Sequence, residues 1–234
     1  MNFVALGEGS TEEGQGFLRP QFSFKPLADE DQGVLHILVR RIFREVLTVA
    51  PPTAIGIPPI PPTKTQGKRF EGGWSSAIKR LQLLIPVLRF HPGAQAIGGV
   101  SFLVAVIDKN CSLDRLTRLE DAACRSTRSE VAIVSCSDGS ARVFPDESAL
   151  TKASLYIVLA LFRPFTEYVV ADGGLPAPPP CDHRWSGYVK EAKERFGGPA
   201  AAVAARQLNL SSPDSSTNGL ADLTRGLEII LHGK

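Results

Sequence analysis

Two short apolar runs that each stop at an acid set the strongest limit on what this chain can fold into. Phe102, Leu103, Val104, Ala105, Val106 and Ile107 run unbroken up to Asp108, and Phe3, Val4, Ala5 and Leu6 form a shorter run that stops at Gly7 and Glu8. A run with no polar residue on either alternate face suits a strand covered on both sides, the situation of parallel strands in α/β proteins. Each run is followed by helical character. Ser10, Thr11, Glu12 and Glu13 supply a capping hydroxyl and carboxylates for a first helical turn. Asp108, Lys109 and Asn110 lead into Leu113, Leu116, Leu119 and Ala123 at helical spacing. The expected class is α/β, with a mainly parallel sheet flanked by helices.

The rest of the chain extends this pattern. Residues 14–31 contain Pro20 and Pro26 and are read as a helix followed by a loop. Leu35, Leu38, Ile42 and Val46 mark an amphipathic helix over 32–49, with Arg40, Arg41 and Arg44 on its solvated face. Six prolines within residues 51–62 exclude a helix or a central strand there. The segment 51–73 is expected to be a Pro/Gly-rich loop, carrying Lys64, Lys68 and Arg69. Trp74, Ile78, Leu81, Ile85 and Leu88 trace a further helix face with Lys79 and Arg80 turned away, and Pro86 should kink or end it. His91, in the turn behind that helix, reads as structural.

Asp114, Glu120 and Asp121 are placed on the exposed side of the helix after Asp108. Val131, Ala132, Ile133, Val134, Ser135 and Cys136 predict a third parallel strand, with a turn at Ser137 to Ser140 and a continuation of the sheet through Arg142, Val143 and Phe144. Residues 147–162 are expected to be helical and largely buried, and 165–170 a helix or a strand. Four prolines within 176–180 break the chain again. Three helices should follow, over 188–196, 199–208 and 220–231, with a break at Ser211, Ser212, Pro213 and Asp214. Residues 1–174 are thus read as the α/β domain and 175–234 as a helical annex that closes over the sheet.

Composition narrows the function classes. Hydrophobic residues make up 43% and charged residues 21% of 234, which excludes a disordered chain. Twenty-six basic against 24 acidic residues leave a net charge of +2, so nothing points to a bulk nucleic-acid binder. The four cysteines, Cys111, Cys124, Cys136 and Cys181, form no C-x-x-C pair, and the N-terminus has no signal-peptide pattern. Four reduced thiols in a cytoplasmic protein are expected. Cys181 and His183 have no second ligand pair at zinc spacing. The apolar run from Leu155 to Phe162 falls well short of the roughly 20 residues of a membrane span, so a soluble protein with no membrane partner is expected.

Glu8 and Asp108 are the leading functional candidates. Open α/β sheets place their chemistry at the carboxyl ends of parallel strands, and the glycines beside Glu8 remove side chains that would keep a metal or phosphate away. Neighbouring parallel strands lie about 4.8 Å apart, so acids at two adjacent strand ends can reach one Mg²⁺. The plainer reading is two acids that cap helices. A third possibility is phosphate binding by the turn from Gly7 to Thr11 and the helix behind it.

Glu8, Gly9, Ser10, Thr11 and Glu12 after a strand, with a later apolar strand ending in Asp108, resemble the motifs of the Toprim fold. The likeness is greatest to small prokaryotic proteins related to the overcoming-lysogenization-defect-type nucleases, whose first motif reads E-G-x-[ST]-[DE]. The resemblance implies a Toprim-like sheet with Glu8 as general acid/base or metal ligand and Asp108 as the first acid of a D-x-D motif that binds Mg²⁺ or Mn²⁺. Asn110 stands where that motif has its second acid, as a neutral ligand, and Glu12 belongs to the first motif. The stretch from Pro164 to Asp172 is similar to a P-x-x-E segment of the same group and adds Glu167. Metal-dependent cleavage of DNA or RNA, in a defence or mobile-element setting, is what the resemblance implies for function. The alternative is a catalytically silent subunit that works with a partner ATPase, since the chain has no P-loop of its own.

Overall fold

The computed structural model describes residues 1–14, 24–56, 73–112, 114–126, 130–211 and 217–233. The expected basic loop residues Lys64, Lys68 and Arg69, the break at Ser212 to Asp214, Leu113, and most of the predicted first helix lie outside the described residues.

Among the described residues, seven strands form one mixed sheet. In chain order they are β1 (Asn2–Leu6), β2 (Lys25–Pro26), β3 (Thr53–Gly56), β4 (Phe102–Asp108), β5 (Val131–Ser137), β6 (Ser140–Phe144) and β7 (Leu155–Phe162). Their spatial order is β2-β3-β1-β4-β7-β5-β6. The β3–β1–β4–β7–β5 centre is parallel, and β2 and β6 are antiparallel edges. The apolar runs explain the arrangement. Every residue of β4 and β7 is buried, and alternate residues feed two separate cores. Phe3, Phe102, Val104 and Val158 face one side; Val4, Leu103, Ala105 and Ile157 face the other.

Helices cover both faces. They are α1 (Ser10–Glu13), α2 (Val34–Arg41), α3 (Trp74–Phe90), α4 (Pro92–Ala96), α5 (Arg115–Ser126), α6 (Ala149–Lys152), α7 (Thr166–Ala171), α8 (Trp185–Phe196), α9 (Pro199–Gln207) and α10 (Leu220–His232). Helix α2 continues as a π-helical turn over Ile42–Val46. With α9 and α10 it fills the first face, while α3, α4 and α5 fill the second. The tail helices α9 and α10 therefore share the core of the sheet they cover. None of the helices among the described residues is long and apolar enough to cross a membrane.

Several expectations are corrected. Residues 155–162 are not helical: they form β7, between β4 and β5, and only Ala149–Lys152 is helix in the predicted span. An unbroken apolar run has no periodicity to separate a buried helix from a buried strand, and its short length and its Tyr, Ile, Val and Phe content decide for strand. The proline-rich stretch contains β3, because Pro51 and Pro52 precede the four-residue strand rather than interrupt it. Pro86 does not end α3, which carries it on an exposed position and runs on to Phe90. Glu120 is buried, accepting from the Ser135 hydroxyl at 2.6 Å and pairing with Arg142. Arg41 turns inward and donates to the carbonyls of Ala205 and Leu208, both at 2.8 Å, which ties α2 to α9.

The expectation of four reduced thiols also fails. Cys111 and Cys181 form a disulfide across a sequence separation of 70 residues, joining the turn after β4 to the segment before α8. Spacing alone gave no sign of it, because the topology and not the local sequence brings the two together. Cys124 and Cys136 form no disulfide among the described residues. Closing a loop of 70 residues restricts the unfolded chain, so Cys181→Ser should lower unfolding stability by about 4 kcal/mol in the chain-entropy model. Denaturant midpoints with and without dithiothreitol test this; identical midpoints would mean the bridge contributes nothing.

Candidate functional site

From β1 the chain passes to β3 on one side, and β4 then adds on the other, so strand order reverses between β1 and β4. The crevice beyond the carboxyl ends at such a reversal is the usual ligand position of an open α/β sheet. The register pairs Leu6 with Ala105, which carries Gly7 and Glu8 level with the end of β4. Glu8 and Asp108 meet there. Glu8 Oε1 accepts from the backbone N–H of Asp108 at 3.2 Å and from the Arg115 guanidinium at 2.7 Å. Arg115 also donates to the Asp108 carbonyl at 2.6 Å, and it lies 5.3 Å above the Trp74 ring.

Asp108 is buried, and its Oδ1 accepts from both the N–H and the hydroxyl of Thr166 at 2.8 Å. Thr166 opens α7, directly after β7, the strand beside β4. The next residue, Glu167, is 1% exposed. Its Oε1 is 3.5 Å from the Thr11 hydroxyl, and its Oε2 has no hydrogen-bond partner among the described residues. Glu12, on α1, is also buried and interacts with the Thr166 hydroxyl and with the charges of Asp108 and Glu167. Gly7 makes its placement possible: a Cβ there would stand 2.2 Å from the Glu12 Cβ.

Glu8, Glu12, Asp108 and Glu167 thus form one largely buried carboxylate cluster. Burial pushes the Glu8 carboxyl up to about 7, with the Asp108 charge adding to the rise and Arg115 opposing it. Burial raises Glu12 well above the usual carboxylate range, with Asp108 and Glu167 contributing. Asp108 and Glu167 are likewise raised by burial, against the pull of the Thr166 hydrogen bonds on the first and of the Lys193 charge on both. Loss of solvent around the charged form is the common cause.

A second buried acid, Glu13, shapes the turn that holds Glu8. Arg80 reaches it from α3 with N–O distances of 2.6 and 2.7 Å, each side chain about 7% exposed. Glu13 also accepts from the Gly7 N–H at 2.9 Å, and Arg80 donates to the Gly7 carbonyl at 2.7 Å. Both sides of Gly7 are therefore clamped, and Arg80 is not turned to solvent as its helix position suggested.

Of the five sequence candidates, the fold brings Glu8, Glu12, Asp108 and Glu167 together. Asn110 is elsewhere. It sits in the turn with φ 45°, donates its N–H to the Pro164 carbonyl at 2.7 Å, and lines an adjacent cavity. Asn is among the side chains that tolerate the left-handed region, which accounts for its presence at 110. Sequence reasoning missed Arg115, Thr166 and the Arg80–Glu13 pair. Arg115 left one signal, a cation in the first turn of a helix, where the dipole disfavours it.

Among the described residues no three His, Cys, Asp or Glu side chains already stand as a closed metal-ligand set. Mg²⁺ does not need one, because one or two carboxylates with retained waters suffice. The donors fit such an ion: hard carboxylate oxygens, one of them orphaned and buried at Glu167, within a cluster short of positive charge. Compared with known proteins, the chain matches no family model, no curated protein and no solved structure.

Proposed function

We propose that this protein is a divalent-metal-dependent phosphoryl-transfer enzyme of Toprim-like character that cleaves phosphodiester bonds of nucleic acid. The observation that carries the reading is the meeting of Glu8 with Asp108 at the reversal of strand order, with the Glu8 carboxyl raised to about 7. A carboxyl with that affinity exchanges a proton efficiently near neutral pH, the requirement for general acid or base action on an attacking or leaving oxygen. Asp108, Glu12 and Glu167 would hold Mg²⁺ or Mn²⁺. When bound, such an ion supplies Lewis-acid polarisation of a phosphoryl oxygen. Arg115 holds the Glu8 carboxylate in place and offsets part of its charge, and Thr166 orients Asp108.

A catalytically silent subunit acting with a partner ATPase is the second reading. Asn110 favours it, because an amide replaces the second acid of the resembled motif and lines the neighbouring cavity.

Cleavage of labelled single- and double-stranded DNA and RNA, with Mg²⁺, Mn²⁺ or excess chelator, tests the proposal. Wild type should cleave at least one substrate only with metal, and Glu8→Gln should lower the rate by about 10²–10⁴-fold. Equal cleavage in chelator overturns the metal role. No cleavage in any metal, with an ATPase co-purifying, favours the silent subunit.

A further inference from the structure

The carboxylate cluster has a neighbour that the proposed chemistry leaves unused. A cavity of about 530 Å³, within the size range of small-molecule sites, is lined from the segments that follow β4 and β7. None of the four acids lines it, but their neighbours in the chain do. At the end of β4, Asp108 belongs to the cluster, while Lys109 and Asn110 line the cavity; on α7, Glu167 belongs to the cluster, while Tyr168 lines the cavity.

The lining is specific in kind. Tyr168 presents an aromatic ring held edge-on against Phe165, with ring centroids 6.3 Å apart, and Pro164 and Val169 supply apolar surface beside it. Asn110 adds an amide with donors and acceptors suited to a heterocycle edge. Lys109 lines the cavity and makes no ion pair among the described residues, so its ammonium is available to an anion there. Arg163, the other cation of the lining, is already held by Asp138 and Asp222.

We infer that this cavity seats one unpaired nucleobase, stacked on Tyr168, with Lys109 against the attached phosphate. A base within a duplex is not free to enter such a cavity without leaving its stack, so the substrate class is single-stranded nucleic acid or a frayed end. The inference rests on the phosphodiester reading for its substrate, but its test does not use catalysis.

Binding of AMP and of inorganic phosphate is measured by calorimetry in excess chelator, on wild type, Tyr168→Ala, Tyr168→Phe and Lys109→Ala. AMP should bind wild type at least about tenfold more tightly than phosphate, from base stacking on one aromatic ring. Tyr168→Ala should remove that advantage, Tyr168→Phe should keep it, and Lys109→Ala should weaken both ligands. Equal binding of AMP and phosphate, no AMP binding, or an unchanged Tyr168→Ala protein overturns the inference. Binding and cleavage together separate the two proposals: AMP bound normally by a wild type that cleaves nothing defeats the enzymatic reading and leaves the cavity standing. Cleavage that ignores Tyr168 and treats single and double strands alike does the reverse.

Discussion

Arg80→Met should destabilise the fold by about 3–5 kcal/mol, the usual cost of removing one partner of a buried ion pair and leaving the other charge stranded. Glu13 would be that stranded charge, about 7% exposed, with only the Gly7 N–H and local groups left to satisfy it. The loss should reach beyond stability, because Arg80 also holds the Gly7 carbonyl and so fixes the turn from which Glu8 projects. Adding Glu13→Gln to Arg80→Met should recover much of the loss, since the double change removes the buried charge along with its partner. Denaturant unfolding of the two single variants and the double variant supplies the cycle. A single Arg80→Met cost within about 0.5 kcal/mol would show that the pair is not desolvated as described.

The second large effect is a pH dependence carried by Glu8. Its carboxyl is raised from 4.5 to about 7 in the native state, so between those values the native protein holds a proton that the unfolded chain has lost. That contribution to stability is complete below pH 4.5 and is lost as pH rises through about 7, amounting to about 3 kcal/mol for a shift of this size. His36 acts in the opposite sense. Burial lowers it from 6.5 to about 3, so its contribution is present above 6.5 and falls away as pH drops toward 3. The difference between wild type and Glu8→Gln isolates the carboxyl. In chelator, Glu8→Gln should gain on wild type steadily from pH 4.5 to 7 and be the more stable protein above that window. A difference that is flat with pH would place the Glu8 carboxyl in ordinary solvent. A protein stabilised by loss of the acid it presents at a strand end carries that acid for a purpose other than folding.

The fold class was legible because it depends on runs and spacing. Phe102 to Ile107 read as a two-sided strand because the run is short, rich in β-branched residues and stopped by an acid before a helical pattern, and Leu220 to Leu231 read as a helix from its spacing. The same criterion failed at Leu155 to Phe162, where an unbroken apolar run lacks a period, and at β3, where flanking prolines masked four residues of strand. Charge placement was less legible. Arg80, Arg41 and Glu120 lie on positions that helical spacing assigns to solvent, and each is drawn inward by a partner distant in sequence: Glu13, the α9 carbonyls, and Ser135 with Arg142. The Cys111–Cys181 bridge was hidden for the same reason.

Within the site, strand ends announced Glu8 and Asp108, and their adjacency follows from one topological fact, the pairing of β1 with β4. Glu12 and Glu167 were named through the resemblance, and the fold supplies a physical reason for each. Gly7 makes room for Glu12, and the β4–β7 pairing brings α7 with Glu167 over Asp108. Nothing local in the sequence could announce Thr166 as the group that orients Asp108, because that contact depends on β7 entering the sheet beside β4.

Mn²⁺ binding followed by electron paramagnetic resonance, on wild type and on Asp108→Asn and Glu12→Gln, addresses the carboxylate cluster most directly. Saturable binding by wild type, weakened at least about tenfold in each variant, is the predicted result, since even indirect supports of a metal ligand change affinity by that much. Wild type that leaves Mn²⁺ free in solution, or variants that bind it as tightly as wild type does, would contradict a metal site between β1 and β4.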